Sequence, residues 1–594
     1  MDLLAPPRPG LELRGAVATT FTLDLTALLG IPLRFAGMEA VGAEADLPIL
    51  SAVDRYAERI DVFCQAGNVF VPAGDASLLA FLESSVHQVK AAPGGLFHPK
   101  LWVLRYADES GEEAFRLVCG SRNLTNDRSW DTAVVLDGHQ TNRRHAVNGP
   151  LADFMLSLPS RVPTGVPTRR IARIEEMSEA LRSVEWEAPP GTRTDREWLK
   201  FHVFSAKTRK RPDMSGRRRL IVSPFLTDDG LDRVWPGGKG ECQLVSRPDE
   251  LNCLEGAARQ QMEAVGTIAH VLNDAVALHD LDSDEHGLRH ELSGLHSKLY
   301  VVERDHRAHV FVGSANATDA AWRNNDEILV EIVGRGKDMG VAATAGEDGF
   351  GALTEPHLFG EPAEPSDADK LRLKLENYLR HLAAIPWTAT VSGGDPEFSC
   401  RLAGAGEIGE LPEGASAHKL MLRPLTRSDF QILAPGDPPS LMWTELAMTE
   451  ITPFFVARVS DGAGTTVESV MLARLVGDPS ERRARILAEQ FSDTSRFVQF
   501  VMMLLQLSSD GELALGQATG GEWLGASSAA TESAGLLEST LDALCDSPAA
   551  VEEIEKIVEQ LERTDRGREL LPEGWSEFWA SVLAAHELIG AARG

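Results

Sequence analysis

Up to Asp338 the chain alternates short apolar runs with clusters of Gly, Pro and charge, the pattern of strands joined by helices and turns. Ile60-Asp61-Val62-Phe63-Cys64 reads as a strand and Ser77 to Lys90 as a helix. Leu101-Trp102-Val103-Leu104 and Phe115-Arg116-Leu117-Val118 then predict a hairpin about the acidic turn Asp108 to Glu113, followed by a strand over Thr132 to Leu136. Pro163 and Gly165 break the pattern between Pro159 and Pro167, which reads as a linker. The scheme then returns. Leu220-Ile221-Val222 is followed by a helix over Asp228 to Val234, the strand Gln243-Leu244-Val245, a hairpin of Leu299 to Val302 with His309 to Val312 about Arg304 to Arg307, and a strand from Glu327 to Ile332. Strands alternating with helices predict an α/β sandwich, here in two diverged copies.

After Asp338 the texture changes. Gly351 to Asp369 is rich in Pro, Gly and acids and reads as a linker, and Ser366 opens a helix predicted over Asp367 to Leu382. Pro453 to Ser460 and Thr466 to Leu472 predict a β-hairpin across Asp461-Gly462-Ala463-Gly464. Asp478-Pro479-Ser480-Glu481 carries the cap, first-turn proline and reciprocal acid of a helix start, so Pro479 to Gln490 is predicted helical, with a second helix over Thr494 to Leu507. Gly511 to Ala530 reads as a loop, and amphipathic helices over Ala549 to Arg563 and Trp575 to Leu588 close the chain.

One phrase occurs twice: Phe97-His98-Pro99-Lys100 ahead of Cys119-Gly120-Ser121-Arg122-Asn123, and Leu295-His296-Ser297-Lys298 ahead of Val312-Gly313-Ser314-Ala315-Asn316. Residues two apart on a strand face one side, so His98 projects with Lys100 and His296 with Lys298. The returning strand of each hairpin brings Ser and Asn back beside that pair. A lone His, or Gly-Ser-x-Asn alone, is ordinary turn chemistry. The paired set resembles the phospholipase D superfamily, whose signature is His-x-Lys followed by Gly-Ser-x-Asn, twice per active site. The resemblance covers the motifs and flanking strands within residues 1 to 338, and the trailing carboxylates Asp131 and Glu327 fit it. The full signature also places Asp five residues after Lys; here those positions are Arg105 and Glu303. The departure weakens a lipase reading more than a nuclease one.

The resemblance implies two α/β sandwich halves forming one site across a pseudo-two-fold axis, and a phosphodiesterase that needs no metal or other cofactor. His98 is then the nucleophile that forms a phosphohistidine and His296 the general acid that later activates water, an assignment that near-symmetry leaves reversible. Lys100 and Lys298 supply charge to the non-bridging oxygens, and Asn123 and Asn316 donate hydrogen bonds to them. Ser121 and Ser314 orient their neighbours rather than attack, Asp131 and Glu327 hold the imidazoles, and Glu303, which approximates the signature acid five residues after Lys, is a further supporting carboxylate. The domain order expected is 1–165 and 166–338 for the two phospholipase-D-like halves, 339–410 for a linker and helix, and 411–594 for a C-terminal α+β domain that binds a partner or regulates, a plain stabilising extension being equally open.

The net charge of −30 argues against bulk attraction to nucleic acid. Roughly two-thirds of that excess lies after residue 340, leaving the motif-bearing part only mildly acidic. A basic cluster there, Lys207, Arg209, Lys210, Arg211, Arg217, Arg218 and Arg219, reads as a DNA-tracking loop or a solvated one, the latter preferred because no aromatics interleave. Cys64, Cys119, Cys242, Cys253, Cys400 and Cys545 show neither metal-ligand spacing nor a dense disulfide framework, and no secretory signal or membrane span is evident, so a reducing cytoplasm is the expected home. The expected function is a DNA nuclease acting on nucleic acid as substrate. By resemblance it would be of the kind that accompanies helicases or methylases in bacterial phage-defence and restriction systems. The alternatives are a phospholipase or phosphatidyl transferase, disfavoured by the missing membrane signals, and a non-catalytic nucleic-acid-binding scaffold subunit.

Overall fold

The computed structural model describes residues 2–35, 56–73, 77–108, 110–127, 129–192, 197–208, 210–273, 294–362, 366–395, 397–412, 415–433, 438–461, 465–491 and 548–593, with isolated positions between 493 and 544. It is a mixed α/β protein. The first sheet holds β1 (Glu12–Thr20), β2 (Ile60–Gln65), β3 (Val86–Val89), β4 (Leu101–Ala107), β5 (Glu113–Gly120), β6 (Ala133–Gln140) and β7 (Val184–Trp186), in the order β3-β2-β1-β4-β5-β6-β7. The second holds β8 (Leu199–Phe204), β9 (Arg218–Val222), β10 (Glu241–Val245), β11 (Ala269–Leu272), β12 (Leu299–Arg304), β13 (Arg307–Gly313), β14 (Glu327–Arg335) and β15 (Thr354–Pro356), in the order β8-β14-β13-β12-β9-β10-β11-β15. Six strands correspond in order and direction. β1, β2 and β3 are mutually parallel, as are β9, β10 and β11, and β1-β4-β5-β6 and β9-β12-β13-β14 are antiparallel runs.

Both motif hairpins form where the apolar pattern places them. The second closes on Asp305 and His306, both at positive φ, which is the type I′ geometry that matches strand twist. The predicted helix over Ser77 to Lys90 is instead a short 3-10 turn, Ser77–Leu82, followed by strand β3. Its polar residues hid it: His87 bonds Asp61 on β2 at 2.9 Å, and Gln88 bonds the Val470 carbonyl at 2.7 Å. Each sheet also runs beyond the expected borders. β7 pairs with β6 in the first, and β15, inside the predicted linker, pairs with β11 in the second.

β1 is buried on both faces. Ala16 and Ala18 lie in one apolar cluster with Phe454, Val456, Val470 and Leu472, while Val17 lies in another that includes Leu220, Val222 and Val301 of the second sheet. Residues after 366 therefore share a core with the first sheet. There α1 (Asp367–Ala383) carries the Ser366–Asp369 capping box, and two four-stranded sheets follow, the second including the predicted hairpin as Phe454–Asp461 with Thr466–Leu472. The next helix begins at Arg482 rather than Pro479, because Asp478 spends its carboxylate on Arg482 at 2.6 Å instead of capping. Helices Pro548–Leu561 and Trp575–Arg593 end the chain; most of Thr494 to Leu507, and all of Gly511 to Ala530, lie outside the described residues. Among the described residues no helix is long and apolar enough to cross a membrane.

A buried ion network braces β2. Asp61 is fully buried, and Arg170 reaches it at 2.9 Å while also donating to the Ile60 and Ala57 carbonyls. Burial alone would raise the Asp61 carboxyl, but His87, Arg170 and Arg173 bring it down to about 2. Removing one partner strands the other charge in the core, so Arg170→Ala is expected to cost about 3–5 kcal/mol. Chemical denaturation of the variant checks this, with a smaller loss for Arg173→Ala, whose side chain is a quarter exposed.

Candidate active site

The two hairpins meet through paired backbone bridges. The His98 amide donates to the Asp326 carbonyl at 3.1 Å and the Asp326 amide to Leu96 at 2.8 Å; the His296 amide donates to Trp130 at 2.9 Å and the Trp130 amide to Gly294 at 2.8 Å. The segment before each motif histidine is thus stitched to the segment before the other motif's carboxylate.

The carboxylates are consequently exchanged. His98 Nδ1 donates to Glu327 Oε2 at 3.0 Å, and His296 Nδ1 donates to Asp131 Oδ1 at 2.8 Å, so each imidazole is held from the opposite sheet. With Nδ1–H committed, Nε2 of each ring is the unprotonated atom facing the site. Ser121 Oγ donates to Asp131 Oδ1 at 2.7 Å and Ser314 Oγ donates to Glu327, so the motif serines orient carboxylates. The motif glycines permit this closeness: a Cβ on Gly120 would lie 2.6 Å from the Thr132 carbonyl oxygen, and one on Gly313 2.1 Å from that of Ile328.

Lys100 Nζ donates to His98 Nε2 at 2.8 Å and to the His98 carbonyl at 3.2 Å; Lys298 Nζ donates to the His296 carbonyl at 2.8 Å. Both lysines are buried, 2% and 0% exposed. Burial pushes Lys100 down to about 7 and Lys298 well below its ordinary value, the latter lowered further by Lys100. Burial also lowers His98 to about 4, against the pull of Glu327, and His296 to about 3, with Lys298 adding to the depression. Burial raises Asp131, but its bond from His296 leaves it below the ordinary carboxylate value.

Asn123 accepts from the Thr22 amide at 3.4 Å, whereas the buried Asn316 Oδ1 has no partner. Each asparagine rests on a loop that sequence reading missed. Thr20 Oγ1 donates to the Thr22 carbonyl and accepts from the Leu124 amide; Ser223 Oγ donates to the Phe225 carbonyl and accepts from the Ala317 amide. The two loops directly follow the corresponding strands β1 and β9, a correspondence that aligning the two copies backwards from the motifs would have exposed. Phe21 in the first loop packs edge-on against His98 with centroids 5.1 Å apart, and Arg380 of α1 lies 5.8 Å from that ring.

Other expected site residues stand apart. Glu303 accepts from the Val341 amide at 2.7 Å, and Arg105 binds Glu113 at 3.0 Å and Glu176 at 2.7 Å. Five residues along a strand is about 17 Å, which takes both positions away from the lysines. In the basic cluster, Arg219 is buried on the Gly216, Val234 and Lys239 carbonyls, the partly buried Arg211 donates to those of Trp322, Thr208 and Ser205, and Arg218 pairs with Glu241 and Glu303. Lys207, Lys210 and Arg217 are exposed, and Arg209 lies outside the described residues.

No protein-family model and no curated protein matches the chain. Among solved structures it is similar to the crystal structure of the yeast tyrosyl-DNA phosphodiesterase, at 13% identity over 56% of this chain and 84% of that one, with a TM-score of 0.33. A histidine mutant of the same yeast enzyme matches at 12% identity over 55% and 84%, also with a TM-score of 0.33. A likeness this slight assigns the chain no activity of its own.

Both imidazoles are held neutral in the folded protein while unfolded histidine titrates near about 6.5. The unfolded state therefore binds more protons below that pH. The imidazoles' contribution to stability is expected to be complete above about pH 6.5 and to be lost as the pH drops toward about 4 and then about 3. Melting curves from neutral to mildly acidic pH check this, and the His98→Gln/His296→Gln double variant should show a flatter dependence. Lys298→Met, which removes a buried ammonium of similar volume, is expected to raise the melting temperature at neutral pH.

Proposed function

We propose that this chain is a metal-independent phosphodiesterase of phospholipase-D-like type, its two halves related by a pseudo-two-fold axis about one site, and that it cuts DNA through a phosphohistidine. The observation that carries the reading is the reciprocal exchange of carboxylates between His98–Glu327 and His296–Asp131, with Lys100 and Lys298 buried beside them. Two buried lysine amines with depressed proton affinity suit an anionic ligand, because its charge restores their protonation as it binds.

His98 Nε2, unprotonated, attacks phosphorus; the N–P bond forms as the P–O bond to the leaving group breaks, and His296 Nε2–H gives its proton to the departing oxygen. Burial and Lys298 hold His296 neutral, so it gains that proton as the substrate's negative charge offsets the two lysines. Water then attacks phosphorus, His296 takes its proton, and the N–P bond breaks to return His98. Glu327 and Asp131 keep each Nδ1–H in place, while the lysines and Asn123 and Asn316 hold the non-bridging oxygens.

Labelled single- and double-stranded DNA incubated with the protein in EDTA tests this. Cleavage is expected, with His98→Ala inactive and His296→Ala slowed about 10²–10⁴-fold while accumulating an alkali-stable protein–DNA adduct. No cleavage of either substrate, or cleavage that persists in His98→Ala, overturns the proposal.

A further inference from the structure

The flanks of the two histidines are unlike. Beside His296, Trp130 is 39% exposed while its carbonyl holds the His296 amide. Phe225, also 39% exposed, has the Arg247 guanidinium 5.0 Å from its ring centroid, and Arg247 Nε donates to the Leu295 carbonyl at 2.9 Å. Trp130 and the Phe225–Arg247 pair therefore both anchor on Leu295-His296, one from each sheet. Beside His98 the corresponding positions are closed. Asp326, in the place of Trp130, is buried and paired with Arg161, and Thr22, in the place of Phe225, is buried.

A large aromatic left in water costs free energy unless something covers it. Here two such rings, one already stacked by a cation, flank the Leu295-His296 segment of the motif whose His296 and Lys298 the proposed function assigns to a phosphate. Bases offer π faces at the spacing of the phosphates that join them, and stacking needs no sequence. A protein of net charge −30 gains little from counterion release, so stacking is the attraction open to it. A duplex keeps its base faces covered by their neighbours. We propose that the substrate is single-stranded nucleic acid, seated with bases against Trp130 and Phe225 on the leaving-group side of the phosphate. This rests on the phosphodiesterase reading, which makes His296 the group that protonates the leaving oxygen.

Anisotropy of a fluorescein-labelled thymidine oligomer, in EDTA and with full-length His98→Ala protein to prevent turnover, tests the platform. The single strand is expected to bind more tightly than a duplex of equal length. Trp130→Leu and Phe225→Leu are each expected to weaken it about 5- to 100-fold, and Trp130→Phe to restore most of the loss, since leucine keeps the apolar volume but not the π face. The slope of log affinity against log salt is expected to be shallow, about −1 to −2, as for two phosphates contacted. A uridine ribo-oligomer should lose as much in the leucine variants, because a ring face carries no sugar information. Equal or tighter duplex binding, or leucine variants that bind as well as the parent, overturns the proposal. Hydrolysis of bis(p-nitrophenyl) phosphate separates the two failures. If histidine-dependent turnover persists while the leucine variants bind normally, the platform alone falls; if the wild type turns over no phosphodiester, the underlying reading falls and this one with it.

Discussion

Three buried basic groups, His98, Lys100 and Lys298, and the partly buried His296 share two carboxylates, and the architecture follows from how those carboxylates arrive. Glu327 reaches His98 from the second sheet and Asp131 reaches His296 from the first. Neither pair exists unless both sheets are folded and docked. The bridges at Phe97–Asp326 and Trp130–Leu295 fix the docking on backbone, which tolerates far less drift than side chains do. Serine, glycine and the loops after β1 and β9 then serve the same end, holding carboxylate or asparagine where the exchange needs them. Desolvation depresses all four basic groups, a cost in stability that the fold carries at this site.

The hairpins, the Ser366 cap and the Phe454 to Leu472 pairing were legible because strand alternation and capping chemistry are local. Strand β3 was not, since His87 and Gln88 look solvent-seeking until Asp61 and Val470 are known to face them. Arg105 and Glu303 entered the reading by linear spacing within a motif, but extension along a strand carries them to the far end of each hairpin, where they tie down Glu113 and the Val341 amide. The basic cluster misleads for a related reason: charge density in sequence says nothing of carbonyls nearby, and Arg211 and Arg219 are consumed by them. The exchange of carboxylates was also out of reach, because spacing shows which acid follows a motif and not which imidazole lies opposite.

The unequal flanks give the chain after residue 366 a physical part in the site. Gly67, at positive φ, lies against α1 so closely that a Cβ would come within 2.6 Å of the Arg380 Cα. Next to it Asn68 bonds Arg380 Nε at 3.1 Å and Thr22 Oγ1 at 3.0 Å, and Thr22 belongs to the loop whose Phe21 packs on His98. Gln88 and Ser469 add bonds between β3, the Val69 backbone and the hairpin strand Thr466–Leu472, and the apolar cluster beneath is common to both. With that many polar groups satisfied only across the junction, withdrawing the later residues would uncover buried donors and acceptors on the first sheet as well as apolar surface. The His98 flank is thus closed and stiffened by a part of the chain that carries no motif, while the His296 flank keeps its aromatic face open. Near-symmetric histidine pairs on two matching sheets thus acquire unlike flanks from packing alone.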